Sequence, residues 1–386
     1  MKAGWAIKPL GDLCEAFADG DWVESKDQST EGIRLIQTGN IGEGVFKDRA
    51  EKARYISEET FKRLRCTEIF EGDCLISRLP DPVGRSAIIP DAGERMITAV
   101  DCTIVRFSLK QCLPTFFNYY SQSTDYLNTI AKECTGTTRI RISRSNLALT
   151  PIPVPPLPEQ HRIVAILDEA FDGIATAKTN AEKNLQNARA LFESHLQSVF
   201  TARGQGWEVT TLDKISTNLD SKRIPITKSD RKSGEYPYYG ASGIVDYVAD
   251  YIFDGDTLLI SEDGANLLAR STPIAFSVSG KYWVNNHAHI LKFEDMATQR
   301  FVEFYLASIR LDEYITGAAQ PKLNQKALNS IPIPIPVAVA KQAEIVGRIE
   351  SLQDETQRLE SIYQQQLTAL DDLKKSLLHQ AFSGQL

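Results

Sequence analysis

The chain has 386 residues, of which 42% are hydrophobic and 24% are charged, and its formal net charge is −7. This length predicts two to three globular domains, and no apolar run approaches the roughly 18 residues of a membrane span, which excludes an integral membrane protein. The acidic balance argues against a protein that coats DNA without sequence preference, but it is compatible with a local basic face that contacts DNA.

The N-terminal sequence MKAGWAIKPLGDL lacks the apolar stretch of a signal peptide. The cysteines all lie between Cys14 and Cys134, with neither a CxxC pair nor zinc-finger spacing. We therefore expect reduced, mostly buried thiols in a cytoplasmic protein.

The chain contains one internal repeat. The matching segments are GWAIKPLGDL at 4–13 with GWEVTTLDKI at 206–215, IFEGDCLIS at 69–77 with IFDGDTLLIS at 252–261, TGTTRIRIS from Thr135 with TGAAQPKLN from Thr316, and LFESHLQSVF from Leu191 with LKKSLLHQAF from Leu373. The first pair is offset further than the others, which predicts an insertion near residues 43–66 of the first copy. Within it, Ser57 followed by two glutamates predicts a capped helix start.

Each copy has the same three parts: a block of mixed strands and short helices, a proline strip and a long helix. The predicted limits are a first block at 1–157 and its helix at 158–205, then a second block at 206–336 and its helix at 337–386. Proline at every second residue, in PIPVPPLPEQ from Pro151 and IPIPIPVAV from Ile331, excludes a helix or a central strand. We therefore expect each strip to be an extended connector.

The helices are predicted from their periodicity. The first should begin at Pro158, because proline is tolerated at the first helical position. Its apolar or small residues recur every three or four positions, namely Ile163, Leu167, Ala170, Ile174, Ala177, Ala181, Leu185, Ala188, Phe192, His195 and Val199. The second helix has a similar stripe from Ile345 to Ala381. Such long single-stripe helices favour packing on each other as an antiparallel coiled coil, and a pair of ordinary core helices is the alternative.

No fragment of the chain makes a complete catalytic motif. GNIGEG at 39–44 lacks the spacing of a nucleotide loop and reads as a turn. Asp21 with Glu24-Ser25-Lys26 loosely resembles one end of a nuclease motif, but it lies in a polar, turn-rich stretch. His287-Ala288-His289 offers two imidazoles without a third convergent ligand. We predict neither catalytic residues nor a metal site in this chain.

Basic and polar residues precede each proline strip and are candidates for DNA contact. They are Arg139, Arg141 and Arg144 in the first copy and Gln320, Lys322, Asn324 and Lys326 in the second. Residues two apart in an extended segment share a face, so they can follow one phosphate row or one groove. A second basic cluster contains Lys222 and Arg223. A solvated strand face at the first set and an ordinary basic loop at the second are the alternatives.

Two globular blocks, each followed by a proline strip and a long helix that ends in SVF or QAF, resemble the specificity subunit of type I restriction-modification enzymes. The resemblance spans essentially the whole chain. It implies a mixed α/β fold, with two duplicated target-recognition domains separated by an antiparallel coiled coil of two long helices. One departure is VAVAKQ at 337–342, where the first copy has PPLPEQ, which leaves the start of the second helix less defined.

The resemblance also implies partners. Each recognition domain is expected to read one half of a split, asymmetric site in double-stranded DNA. The helices would dock two methyltransferase subunits, which bind S-adenosylmethionine and methylate adenine, whereas this chain itself needs no cofactor. Motor-nuclease subunits would join to cleave unmethylated DNA. Two other functions stay open: the recognition subunit of a related system with nuclease and methylase in one polypeptide, and a structural coiled-coil adaptor that binds protein.

Overall fold

The computed structural model describes residues 4–136, 139–317 and 319–386. The chain forms two compact units. The first unit comprises the residues up to Ala181 together with Gln365–Leu386, and the second comprises Glu182–Gln364. None of the helices in the described ranges is long and apolar enough to cross a membrane.

The first unit contains two four-stranded sheets and a two-stranded ribbon. Its strands are β1 (Ala6–Pro9), β2 (Cys14–Asp19), β3 (Ile33–Ile36), β4 (Tyr55–Ile56), β5 (Glu68–Ile69), β6 (Cys74–Ser77), β7 (Ser86–Ile88), β8 (Met96–Thr98), β9 (Cys102–Phe107) and β10 (Pro151–Val154). Its helices are α1 (Glu58–Leu64), α2 (Pro114–Tyr120), α3 (Thr124–Lys132), α4 (Arg144–Ala148) and the first part of α5 (Leu157–Thr201). The sheet orders are β2-β9-β6-β7 and β4-β3-β8-β5, in which only the β3–β8 pair is parallel.

The second unit repeats this topology. Its strands are β11 (Trp207–Thr210), β12 (Thr217–Asn218), β13 (Ser233–Gly240), β14 (Gly243–Val248), β15 (Phe253–Asp254), β16 (Thr257–Ser261), β17 (Ala275–Val278), β18 (Lys281–Val284), β19 (Ala288–Lys292) and β20 (Ile333–Pro336). Its helices are α6 (Leu212–Ile215), α7 (Asn266–Ala269), α8 (Met296–Ser308), α9 (Gln325–Asn329) and the first part of α10 (Val339–Ser383). The sheet orders β12-β19-β16-β17 and β14-β13-β18-β15 match those of the first unit strand for strand, which confirms the duplication.

The units differ around β4. The connection from β3 to β4 spans residues 37–54, whereas residues 241–242 make the equivalent turn from β13 to β14. The next connection of the first unit carries α1, and the Ser57 hydroxyl accepts a 3.1 Å hydrogen bond from the Thr60 amide, as the predicted cap requires. The extra residues of the first copy thus lie on both sides of β4.

Both proline strips are extended, as predicted. The first forms β10 and pairs antiparallel with β1, and the second forms β20 and pairs with β11. Each ribbon has only two strands, so the missing proline N–H groups face no further neighbour.

Each long helix has 45 residues and begins close to the predicted position, α5 at Leu157 and α10 at Val339. In the first unit, Arg162 near the start of α5 donates a 2.8 Å hydrogen bond to the main-chain oxygen of Leu386. Further along α5, Lys178 forms an ion pair with Asp371 of α10. The two helices therefore run antiparallel in this unit.

The same direction holds in the second unit. Arg189 of α5 lies 2.9 Å from Glu360 of α10. Towards the end of α5, Leu196 and Phe200 share one core with Ile345 near the start of α10. The predicted packing of the helices is confirmed, but the buried stripe at this end of α5 lies one residue beyond the predicted His195 and Val199.

All six cysteines are free, and Cys66, Cys74, Cys102 and Cys112 are buried. Burial is the largest contribution that raises the pKa of Cys66, to about 11. These thiols therefore serve as small apolar core residues rather than as nucleophiles.

Candidate nucleic-acid interface

A short loop precedes the proline ribbon in each unit, and we call these the Thr-Gly loops, residues 135–141 and 316–322. Main-chain hydrogen bonds of 2.9 and 3.0 Å join Thr135 to Arg141, and bonds of 2.9 and 2.7 Å join Thr316 to Lys322. Thr137, Thr138 and Ala318 lie outside the described residues.

Glycine is required at the second position of both Thr-Gly loops. Gly136 has a φ of +102° and Gly317 a φ of +87°. A Cβ at Gly136 would lie 2.4 Å from the oxygen of Arg139, and one at Gly317 would lie 2.5 Å from the oxygen of Gln320. The recurring Thr-Gly pair thus closes a turn that presents the candidate residues.

The three candidate arginines of the first unit are exposed and lie close together in the chain. Arg139, whose side chain is 67% exposed, donates a 3.1 Å hydrogen bond to Asp101. Arg144 begins α4 and lies 3.9 Å from Asp19. Within the described residues the Arg141 side chain has no ion-pair partner.

The candidates of the second unit divide into two groups. Gln320 and Lys326 are exposed. Lys322 forms a 3.1 Å ion pair with Glu262, and the Asn324 side chain caps α9 by accepting a 3.0 Å hydrogen bond from the Ala327 amide. Asn324 therefore has a structural role in addition to the predicted contact.

Lys222 and Arg223 are neighbours with different surroundings. Lys222 is exposed, whereas the Arg223 side chain is 15% exposed. Arg223 donates hydrogen bonds of 2.6 Å to Glu262 and 2.8 Å to the main-chain oxygen of Ala288. Its guanidinium is held inside the unit, so Lys222 is the freer of the two cations.

Arg223 belongs to a buried charged cluster that also contains Asp220, Glu262 and His289. His289 is 1% exposed, with Nδ1 at 2.6 Å from Asp220 and Nε2 at 2.8 Å from the main-chain oxygen of Leu323. Both partners carry acceptor oxygens, so the ring is held between them. His289 thereby ties the segment after the second Thr-Gly loop to the sheet.

The carboxylates of this cluster are held ionised. Burial works to raise the pKa of Asp220, but the hydrogen bond and charge of His289 outweigh it and lower that pKa below its ordinary value. Burial likewise works to raise the pKa of Glu262, but the hydrogen bonds from Arg223 and Lys322 and the charges of His289 and Arg223 together outweigh it and lower that pKa.

Asp220, Glu262 and His289 place ligand atoms within 4.8 Å of one another, as a metal site would. However, Arg223 and Lys322 already contact the two oxygens of Glu262, and both ring nitrogens of His289 face acceptors. This chemistry fits a network of ion pairs rather than a metal centre.

The first Thr-Gly loop is supported by a residue at the position equivalent to Glu262, but this residue is an arginine and carries the opposite charge. Arg78 follows β6 as Glu262 follows β16, and Arg78 lies 3.4 Å from Asp19. The main-chain oxygen of Arg78 accepts a 3.4 Å hydrogen bond from Ile142, as that of Glu262 accepts a 2.8 Å bond from Leu323. These supporting residues were not predicted from the sequence, although each directly follows the serine that ends a matching strand.

The comparisons with known proteins agree with this geometry. A family profile described as the type I restriction modification DNA specificity domain matches residues 2–186 and again residues 204–369. The chain belongs to this family. One specificity-domain match begins at each of the two recurring blocks, as expected for a duplicated specificity subunit.

Relatives of the specificity family support this placement. A Haemophilus influenzae protein described as a type I restriction enzyme specificity subunit is 35% identical over 168 residues, which cover 44% of this chain and 41% of that protein. The match thus spans less than half of that relative's length. The Methanocaldococcus jannaschii protein described as the type I restriction enzyme MjaX specificity subunit is 22% identical over 99% of this chain and 93% of its own.

A solved structure shares the fold of this chain. A chain in a structure that addresses complex assembly and conformational transition of the type I restriction-modification system superposes with a TM-score of 0.81. The superposition covers 100% of this chain and 99% of that chain at 17% identity. This likeness concerns the fold alone.

Proposed function

We propose that this chain is the DNA-sequence-recognition subunit of a type I restriction-modification complex, and that each unit reads one half of a split site. The observation that carries this proposal is the double match to the specificity domain, once for each block of the repeat. The two Thr-Gly loops present different side chains, Arg139 and Arg141 against Gln320 and Lys322. Different reading surfaces favour two different half-sites, and hence an asymmetric target.

We propose that the paired helices set the gap between the half-sites and dock two methyltransferase subunits. The antiparallel ion pairs of α5 and α10 support a stiff spacer. Large apolar side chains stay exposed on both helices, with Leu191 on α5 and Ile362 and Leu373 on α10. Exposed apolar residues on long helices are suited to bind partner subunits.

In this proposal the chemistry belongs to the partners, and this chain has no active site of its own. The methyltransferase subunits would bind S-adenosylmethionine and methylate adenine, and motor-nuclease subunits would cleave unmethylated DNA. The complex would act in the cytoplasm, where the free cysteines of this chain remain reduced.

Base-resolution mapping of methylated adenine in the host genome, with and without this gene, tests the proposal. We expect one two-part motif with a fixed gap that disappears when the gene is deleted and returns on complementation. An identical methylation map after deletion would contradict the proposal. Tight binding to another protein, with no sequence-dependent DNA binding when the methyltransferase is present, would instead support the adaptor. The neighbouring genes show if the nuclease and the methylase are separate polypeptides, as in a type I system, or one polypeptide, as in the related system.

A further inference from the structure

The connection between β3 and β4 is much longer than the equivalent turn of the second unit, and it forms a cationic pocket. The pocket has a volume of about 390 Å³ and is lined by Gln37, Gly39, Asn40, Arg49, Lys52, Ala53 and Arg54. We call it the β3–β4 pocket. The second unit has only residues 241–242 at the equivalent turn, so it has no counterpart of this connection.

Buried polar side chains hold the β3–β4 pocket in shape. Asn40 is 9% exposed, and its amide donates hydrogen bonds of 2.9 Å to the oxygen of Lys47 and 3.0 Å to that of Asp48. Its side-chain oxygen accepts a 2.9 Å bond from the Gln37 amide. Asp48, the acidic neighbour of Arg49, is turned towards the buried guanidinium of Arg34. The Asn40 side chain therefore joins the start of the connection to its middle, next to Arg49, and holds the pocket in shape.

The cations of the β3–β4 pocket are not neutralised. Other arginines of this unit hold carboxylates, as Arg63 holds Asp27 at 2.6 Å and Arg106 holds Asp73 at 2.6 Å. Arg49, Lys52 and Arg54 are exposed, and no ion pair to any of them occurs among the described residues. In an acidic protein, three unpaired cations around one fixed pocket are arranged to receive an anion from outside.

Arg49 is positioned by the backbone and by a glycine. Its φ is +51°, a left-handed conformation that is costly for a residue with a side chain. One guanidinium nitrogen of Arg49 lies 2.2 Å from the point that a Cβ on Gly39 would occupy. A side chain at this glycine of the GNIGEG turn would therefore push the end of the Arg49 side chain aside.

We propose that the β3–β4 pocket binds a phosphate group of the DNA backbone, through Arg49, Lys52 and Arg54, at the half-site read by the first unit. The proposal rests on the proposed function. Phosphate contacts fix the register of a protein on the duplex without reading sequence, and arginine with lysine is the usual donor set. Because the second unit has no equivalent connection, this contact distinguishes the two halves of the site.

The test measures DNA binding by the subunit assembled with its methyltransferase, on the site found by methylation mapping and across a salt titration. We expect the Lys52→Ala/Arg54→Ala double variant to bind about tenfold or more weakly at low salt, with the log–log salt slope reduced by about one, because one phosphate contact is lost. Gly39→Ala should also weaken binding, since it displaces Arg49 without removing a charge. Lys110→Ala/Lys132→Ala, which removes two exposed lysines of the same unit, is the matched control and should leave the slope unchanged.

The outcomes separate this proposal from the proposed function. Specific binding by the wild type with an unchanged slope in the double variant would overturn the phosphate site alone. Absence of site-specific binding by the wild-type assembly would overturn the proposed function itself. Thermal unfolding identifies any variant that fails to fold. If the Gly39→Ala variant fails to fold, the double variant alone tests the phosphate site. Binding of inorganic phosphate that is lost in the double variant, with DNA affinity unchanged, would overturn the proposal by assigning the pocket to a free anion.

Discussion

The buried side chain of Gln160, in the first turn of α5, donates a 2.9 Å hydrogen bond to the main-chain oxygen of Pro155 in the proline strip. The same side chain donates a 2.8 Å bond to the oxygen of Gln111 and accepts a 2.8 Å bond from the Leu113 amide. In the second unit, Gln342 donates a 2.7 Å bond to the oxygen of Pro336. A glutamine after each proline strip therefore fixes how the ribbon, the helix and the globular block meet.

Replacing Gln160 by leucine should destabilise the protein by about 2–4 kcal/mol, because buried main-chain groups at Gln111, Leu113 and Pro155 would lose their partner. Thermal and chemical denaturation measure the effect. Gln186→Leu, at an exposed position of the same helix, is the control and should change stability little. Equal stability of the two variants would mean that Gln160 does not anchor the helix.

Arg223→Ala and Lys222→Ala should separate folding from DNA contact. Loss of Arg223 removes the closest cation of the largely buried Glu262, which keeps Lys322, so we expect a loss of about 1–3 kcal/mol in stability. Lys222 is exposed, so its removal should leave the unfolding midpoint unchanged and weaken DNA binding in a salt-dependent way. The reverse pattern, with a stable Arg223→Ala variant, would contradict the buried cluster.

Arg139→Ala should weaken DNA binding without unfolding the protein. The side chain is mostly exposed and its ion pair with Asp101 is on the surface, so its net contribution to stability is small. DNA affinity of the methyltransferase assembly, measured across a salt titration, checks the prediction. Unaltered affinity at every salt concentration would remove Arg139 from the interface.

The Asp220–His289 pair should make stability depend on pH in the acid range. The pKa of Asp220 in the folded state lies below its ordinary value of 3.8, so the carboxylate stabilises the fold above that value. This stabilisation is lost as the pH falls below 3.8 and through the folded-state pKa. Asp220→Asn should therefore melt below the wild type at pH 7, with a difference that shrinks below about pH 4.

Melting curves between pH 7 and pH 3 measure that difference. Glu235→Gln, which alters an exposed carboxylate in β13, is the control and should follow the wild type throughout. A melting difference for Asp220→Asn that stays constant down to pH 3 would show that ionisation of Asp220 does not stabilise the fold.

Local patterns predicted the elements well, because helix and strand spacing is a short-range property. Repeated segments such as IFEGD and IFDGD revealed the duplication that the matched sheets confirm. The stripe on α5 was predicted one residue early near its end, where Leu196 and Phe200 are buried instead of His195 and Val199. A helical period fits either set, and packing of Phe200 on Phe301 and Tyr305 decides between them.

The supports of the candidate interface could not be predicted in this way. Asp19 contacts Arg78, and Arg223 contacts Glu262, across sequence separations that no local period records. Their pairing depends on which strands become neighbours, a tertiary property. The glutamine after each proline strip recurs in both copies of the repeat, so its position is visible in the sequence. Its hydrogen-bond partners are not, because they depend on the tertiary fold.

Inserting seven residues between Ala181 and Glu182 of α5 alone should abolish methylation of the original site or change the accepted gap. With seven extra residues in only one of the two helices, the ion pairs Lys178–Asp371 and Arg189–Glu360 cannot both form while the helices stay continuous. A matched insertion between Gln364 and Gln365 of α10 should restore both pairs and lengthen the helices by about 10 Å. At 3.4 Å per base pair, the doubly extended protein should accept a gap about three base pairs longer. Methylation mapping of both variants checks this, and full-rate methylation of the unchanged site by the singly extended protein would refute the spacer.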